Sequence, residues 1–185
     1  MRFLVAHISP SCCARMKIYR QAQVMGMEST VLIRRAQMED IDNLCACLEL
    51  AFEPFRSQYT SDAFRDTVPS VEAMRERMAH MVVYAAIATN GAIVGTIASA
   101  VEGDEGHLRG MAVLPAWHGL GIAEQLLRAA EKDLLAAGCV RITLDTTVPL
   151  QRAIRFYQRN GFVASGRVTD FFGMQLYEYV KVLGL

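Results

Sequence analysis

The sequence predicts an α/β (α+β) fold, a mixed and mostly antiparallel twisted sheet of about seven strands flanked by about four helices. Three observations carry this expectation. Apolar runs with strand patterning and stretches with helical spacing follow one another in the order β-α-α-β-β-β-α-β-α-β-β. Asn90-Gly91, set between two apolar runs, marks a tight antiparallel hairpin. Further on, a strand feeds a glycine turn, a long amphipathic helix and another strand, the pattern of a right-handed parallel crossover.

Residues 1–29 stand apart from this order. Arg2 followed by Phe3-Leu4-Val5-Ala6 faintly resembles a secretion signal, but His7 and Pro10 cut the apolar run short. Met16, Met25 and Met27 lie in the same stretch and offer later starts for translation. The stretch reads as an N-terminal extension, poorly ordered or partly helical, ahead of one domain spanning 30–185.

Within that domain, Val31 to Ala36 reads as a strand, and Met38-Glu39-Asp40 opens a helix with Ile41, Leu44, Cys45, Leu48 and Phe52 on one face. Pro54 ends it. A polar stretch with Phe55, Arg56, Tyr59 and Phe64 runs to Pro69, and a second helix is expected over Val71 to Met81. The hairpin strands are Val82 to Ala88 and Ile93 to Ala100, and a glycine-containing loop leads into a strand from His107 to Leu114. The next helix, from about Gly119 to Ala137, carries Ile122, Leu126, Ala130 and Leu134 on one face and stops at Gly138. A strand from Val140 to about Asp145 and a helix around Ala153 to Arg159 follow. Two closing strands are expected over Phe162 to Val168 and Phe172 to Leu183, with Asp170 in the turn between them.

Composition excludes several classes of function. A chain of 185 residues with 52% hydrophobic and 21% charged residues has the material for one well-packed domain. A formal net charge of zero and the lack of a basic run argue against a nucleic-acid partner. No apolar run approaches the length that crosses a bilayer, so no membrane partner is expected. The five cysteines, Cys12, Cys13, Cys45, Cys47 and Cys139, form no C-x-x-C pair and have no histidine cluster beside them. They read as reduced thiols of a cytoplasmic protein, with no metal site among them.

The chemistry is concentrated in His118-Gly119-Leu120-Gly121-Ile122-Ala123, between a strand and the long helix. Small residues let a ligand approach the backbone, and the first N–H groups of a helix lack intrahelical partners. Together with the helix dipole they suit a phosphate or pyrophosphate. The same glycines also fit a turn that needs them for geometry alone. A second motif stands downstream, Ala153-x-x-x-Tyr157-x-x-x-Gly161-Phe162. With His118-x-x-Gly121-x-Ala123, it makes the chain resemble the GNAT family of acetyl-coenzyme A-dependent N-acetyltransferases from about Val31 to the C-terminus.

That resemblance implies acetyl-coenzyme A as cosubstrate and a primary amine, on a small molecule or a peptide, as the acceptor that attacks the thioester directly in a ternary complex. It implies a pyrophosphate cradle at His118, Gly119, Leu120, Gly121, Ile122 and Ala123. It further implies a free strand edge at Met111, Ala112 and Val113 for the pantetheine amides and the thioester oxygen. Tyr157 then stands where the family places a proton donor for the leaving sulfur, although an aromatic packing role fits it too. The base falls to His107, with Glu105 the carboxylate alternative, and Arg109 shares the His107 face. His118 replaces the usual Gln or Arg, and Leu150 stands where many members carry Asn. Those departures leave room for a coenzyme A-binding sensor without chemistry as the rival reading. A dinucleotide-binding domain fits poorly, since only Asp145 offers the acidic residue it needs. Phe55, Arg56, Tyr59 and Phe171 are candidate walls of the acceptor site, and a homodimer stays open.

Overall fold

The computed structural model describes residues 30–184, so the reading of residues 1–29 as an extension falls outside the described part. Strand β1 (Val31–Arg35) leads through a 3-10 turn (Met38–Asp40) into helix α1 (Ile41–Phe52). Asp40 fixes that entry, because its carboxylate accepts bonds from Nη1 and Nη2 of Arg34, at 2.6 and 3.0 Å, and from the Gln37 N–H at 2.8 Å. Pro54 sits early in a second 3-10 segment (Glu53–Gln58) that ends the α1 path.

Helix α2 (Ser61–Thr67) is the element that the periodicity does not announce; it is short and buries only Ala63 and Phe64. Thr60 caps it by accepting from Ala63 N–H at 3.3 Å, as Ser70 caps helix α3 (Val71–His80) from Ala73 N–H at 3.2 Å. The described residues therefore form five α-helices where about four were expected.

Strands β2 (Val82–Ala88), β3 (Ile93–Glu102) and β4 (Glu105–Val113) form a meander. Both β3 and β4 run further than expected, since Glu102 pairs with Glu105 across the Gly103-Asp104 turn. A 3-10 turn (Pro115–Trp117) then leads to α4 (Ile122–Ala136), β5 (Arg141–Thr147), α5 (Gln151–Arg159), β6 (Val163–Phe171) and β7 (Met174–Val182). The last turn falls at Phe172-Gly173 rather than at Asp170. Asp170, the next-to-last residue of β6, holds the turn by accepting from Gly173 N–H at 3.3 Å.

The sheet order is β1-β2-β3-β4-β5-β7-β6, antiparallel throughout except for the parallel β4–β5 pair. β3 is buried at every position from Ile93 to Ser99, which requires cover on both faces. Helix α4 covers one face, with Leu126 against Gly95 and Leu134 against Gly106. Helix α1, with Leu44 and Leu48 fully buried, covers the other. Cys47 and Cys139 are buried, Cys45 is half-buried, and no disulfide joins these thiols among the described residues.

Candidate active site

The site begins with a defect in the sheet. In β4, Gly110 and Met111 together face one residue of β3, because Arg109 pairs with Ala98 and Ala112 with Thr96. This bulge needs Gly110, whose φ of 62° lies in the left-handed region. Beyond it β4 turns away from β5. The two strands pair only through Glu105–Leu108 and Arg141–Leu144, after which Asp145–Thr147 bond to β7 alone. The edge of β4 from Arg109 to Val113 is thereby left open toward β5.

A cavity of about 440 Å³ lies on one side of the opening. Its walls are Met111, Ala112 and Val113 of β4, the turn with Trp117, His118, Gly119 and Gly121, the first residues of α4, and Arg152, Phe156 and Arg159 of α5. Gly119 and Gly121 have φ of 81° and 72°, and a Cβ on either would meet no protein atom within 4 Å. Gly121 is the N-cap residue of α4 and no side chain caps the helix there, so its first N–H groups face the cavity without side-chain partners. The expected helix start at Gly119 moves to Ile122 for this reason: left-handed residues cannot be part of the helix. Nε2 of His118 donates to the Val113 carbonyl at 2.8 Å and anchors the turn to the strand. Burial lowers the His118 pKa despite that bond. The neutral ring acts as a strut.

A second cavity of about 320 Å³ lies across the opening, lined by Asp66, Arg77, His107, Arg109 and Asp145 with Tyr59, Phe171 and Leu176 as apolar wall. Phe52, Met111, Leu150, Ala153 and Tyr157 line both cavities, so the two meet there. Tyr157 is buried, packs edge-on against Phe156 and Phe162, and donates its hydroxyl proton to the Met111 sulfur at 3.3 Å. Burial raises its pKa well above that of a free phenol, so the hydroxyl stays protonated.

His107 is held by a chain of hydrogen bonds. Thr143 Oγ1 donates to Glu105 at 2.9 Å and lies 3.1 Å from His107 Nδ1. Its only proton is committed to Glu105, so it accepts from Nδ1–H, and Nε2 of the neutral ring keeps its lone pair. That Nε2 lies 3.9 Å from Asp145 Oδ2. Burial raises the Asp145 pKa, and the facing His107 pulls it back. For Glu105, burial acts upward, but hydrogen bonds from Thr143 and Arg141 outweigh it and the pKa falls.

The structure thus brings Tyr157, Met111 and His107 to the two cavities, and His118, Gly119, Gly121, Ile122 and Ala123 to the larger one. Glu105 stands behind His107, bound to Arg141 at 2.5 Å and to Thr143, and it lines neither cavity. Leu120 is exposed beside the turn. Among the candidate walls, Tyr59 and Phe171 line the smaller cavity and Phe55 the larger. Arg56 pairs with Glu53 and stacks on Phe64, 4.0 Å from its centroid. Sequence reasoning missed Asp66 and Arg77, and gave Asp145 no part in this site. Alternation along β5 could have found Asp145, because it shares the face of Thr143, the register partner of His107. Nothing local marks Asp66 or Arg77.

Leu150 is the N-cap residue of α5 and gives it no side-chain bond, while its apolar side chain occupies the junction. Among the described residues no helix is long and apolar enough to cross a membrane, and no group of His, Cys, Asp or Glu could hold a metal ion.

The architecture is shared with known acetyltransferases. A GNAT-family acetyltransferase from Staphylococcus aureus superposes with a TM-score of 0.69 at 21% identity, covering 84% of this chain and 100% of that one. The PaiA N-acetyltransferase of Thermoplasma acidophilum, solved in complex with coenzyme A, gives 0.69 at 20% identity, with 83% and 99% covered. A GCN5-related N-acetyltransferase from Rhodopseudomonas palustris gives 0.68 at 22%, with 86% and 99% covered. At such identities the likeness speaks for the fold. Membership follows from the sequence itself: residues 44–162 match the model of the acetyltransferase (GNAT) family, and the chain belongs to that family.

Proposed function

We propose that this protein transfers an acetyl group from acetyl-coenzyme A to a primary amine by direct attack, with both substrates bound at once. The observation that supports this most is the pair of cavities on either side of the opened sheet, which meet around Phe52, Met111, Leu150, Ala153 and Tyr157. A single-substrate binding module has no use for the second cavity. The larger one fits coenzyme A in its chemistry. It offers helix N–H groups and the cations Arg152 and Arg159 to phosphates, and a free strand edge to amides. Acetyl-coenzyme A bound there would supply an activated acetyl thioester.

The chain's own residues supply the rest. Met111, Ala112 and Val113 present backbone groups along the pantetheine path, and an N–H of this edge can stabilise negative charge on a carbonyl oxygen. His107 takes the ammonium proton at Nε2, Glu105 acts through Thr143 by keeping that nitrogen free, and Asp145 steadies the imidazolium. Tyr157 gives its hydroxyl proton to the departing sulfur.

The test is thiol release from acetyl-coenzyme A over a panel of small amines, amino acids, polyamines and peptide N-termini, with cofactor binding measured in parallel. Transfer to at least one class supports the reading, and His107→Gln then lowers the rate at limiting amine and flattens its rise with pH. Tight coenzyme A binding with no transfer to any amine overturns the enzyme reading in favour of a coenzyme A sensor.

A further inference from the structure

The smaller cavity contains a cation that makes no ion pair among the described residues. Asp66, Arg77, His107, Arg109 and Asp145 are its acidic and basic lining residues. Arg109 is ion-paired with Asp66, and His107 faces Asp145. Arg77 pairs with no carboxylate among the described residues; its Nη2 donates only to the backbone carbonyl of Asp66, at 3.3 Å. A half-buried guanidinium with five donors and one neutral acceptor is under-satisfied. Burial, and then Arg109, lower its pKa from the usual value against the upward pull of the nearby Asp66 charge, and the arginine remains charged.

The fold nonetheless holds Arg77 in place. Its Nη1 lies 2.9 Å from where a Cβ on residue 110 would stand, so the bulge glycine makes room for the guanidinium. Gly110 directly precedes Met111, and the cation therefore sits where the sheet opens. The His107–Asp145 pair lies in the same cavity. One lining therefore presents an unpaired cation and a carboxylate–imidazole pair among Phe52, Tyr59, Phe171 and Leu176. The Thr146 hydroxyl, buried without a partner among the described residues, belongs to a residue of the same wall. An alkylamine brings only positive charge, which Arg77 repels. A molecule carrying both an ammonium and a carboxylate answers both groups.

Resting on the acetyl-transfer reading, we propose that the acceptor is an amino acid with an apolar side chain, and that Arg77 holds its carboxylate by charge-assisted hydrogen bonds. Arg77 is then a specificity residue. Lys would keep the charge and lose the planar fork.

Binding, read without turnover, tests this. L-phenylalanine with L-phenylalaninamide, and L-leucine with L-leucinamide, are titrated into the protein saturated with coenzyme A. The wild-type protein should bind at least one acid about 10- to 100-fold more tightly than its amide, the range for a hydrogen bond to a charged group. Arg77→Met should bring that ratio close to one and Arg77→Lys should leave it between. Retained coenzyme A binding shows each variant folded; if Arg77→Met does not fold, the ratio in Arg77→Lys decides, a fall supporting the proposal and an unchanged value overturning it. Failure of both acids to bind, or a wild-type ratio near one, also overturns it. Acid-selective binding without any acetyl transfer would instead sink the enzyme reading and leave the role of Arg77 standing.

Discussion

Tyr157 illustrates how a buried side chain can be held ready for chemistry. Its hydroxyl is protonated, and its partner is a thioether, one of the weakest acceptors a protein offers. Removing the hydroxyl should therefore cost less than about 1 kcal/mol of stability. If it protonates the leaving sulfur, Tyr157→Phe lowers kcat by roughly 100-fold, the lower end of general-acid contributions, while acetyl-coenzyme A binds as before. Steady-state kinetics with calorimetric binding checks this, and an unchanged kcat would return Tyr157 to a packing role. In the sequence Tyr157 was marked by the motif alone, and the structure buries it where the two cavities meet. His107 was legible as a candidate, but its free Nε2 depends on Thr143 and Glu105, which the β4–β5 register supplies. Arg77 was not legible, since its meaning comes from a bulge on another element and from the absence of a partner.

At the scale of elements, the hairpins and the two long helices follow from apolar period and turn chemistry, and they fall within a few residues of the expected bounds. Helix α2 did not, because a helix with two buried residues has no period to read. The bulge in β4 was equally hidden: Gly110 alone reads as any strand glycine. The junction of β1 with α1 gives a sharper test. Asp40 gathers Nη1 and Nη2 of Arg34 and the Gln37 N–H, and the Arg34 hydrogen bond chiefly holds its pKa below the usual carboxylate value. A depressed folded pKa contributes stability that is present above the unfolded pKa of about 3.9 and lost as pH falls through the folded value. Asp40→Asn should thus cost about 1–2 kcal/mol near neutral pH, discounting for the part-exposed Arg34. Urea unfolding at neutral pH and near pH 3 measures it, and the deficit should shrink at the acid end. An equal deficit at both would show that shape rather than charge is responsible.

At the scale of the whole domain, the parallel pair is a seam where the sheet parts. Beyond Leu108 and Leu144, β4 and β5 have no ladder between them, and the gap is walled by α5 on one side and by the turn before α4 on the other. A ligand that bonds to the β4 edge and to the α4 N-terminus completes an interrupted sheet, and it can do so only in the folded state. Acetyl-coenzyme A at about 100 times its Kd should then stabilise the fold by about 2.7 kcal/mol, or roughly 5–10 °C in Tm. Gly121 separates this cause from others. Any side chain there is strained by the left-handed φ of 72°, and it projects into space free of protein atoms for 4 Å. Gly121→Ala and Gly121→Glu should therefore lose similar stability without ligand, about 1–2 kcal/mol. Only Gly121→Glu also places an anion where the cofactor's phosphates are proposed to lie, so the alanine variant should keep much of the ligand-induced rise while the glutamate variant loses it. An equal rise in both would mean that the phosphates bind elsewhere, and the cradle reading of the turn would fail with it.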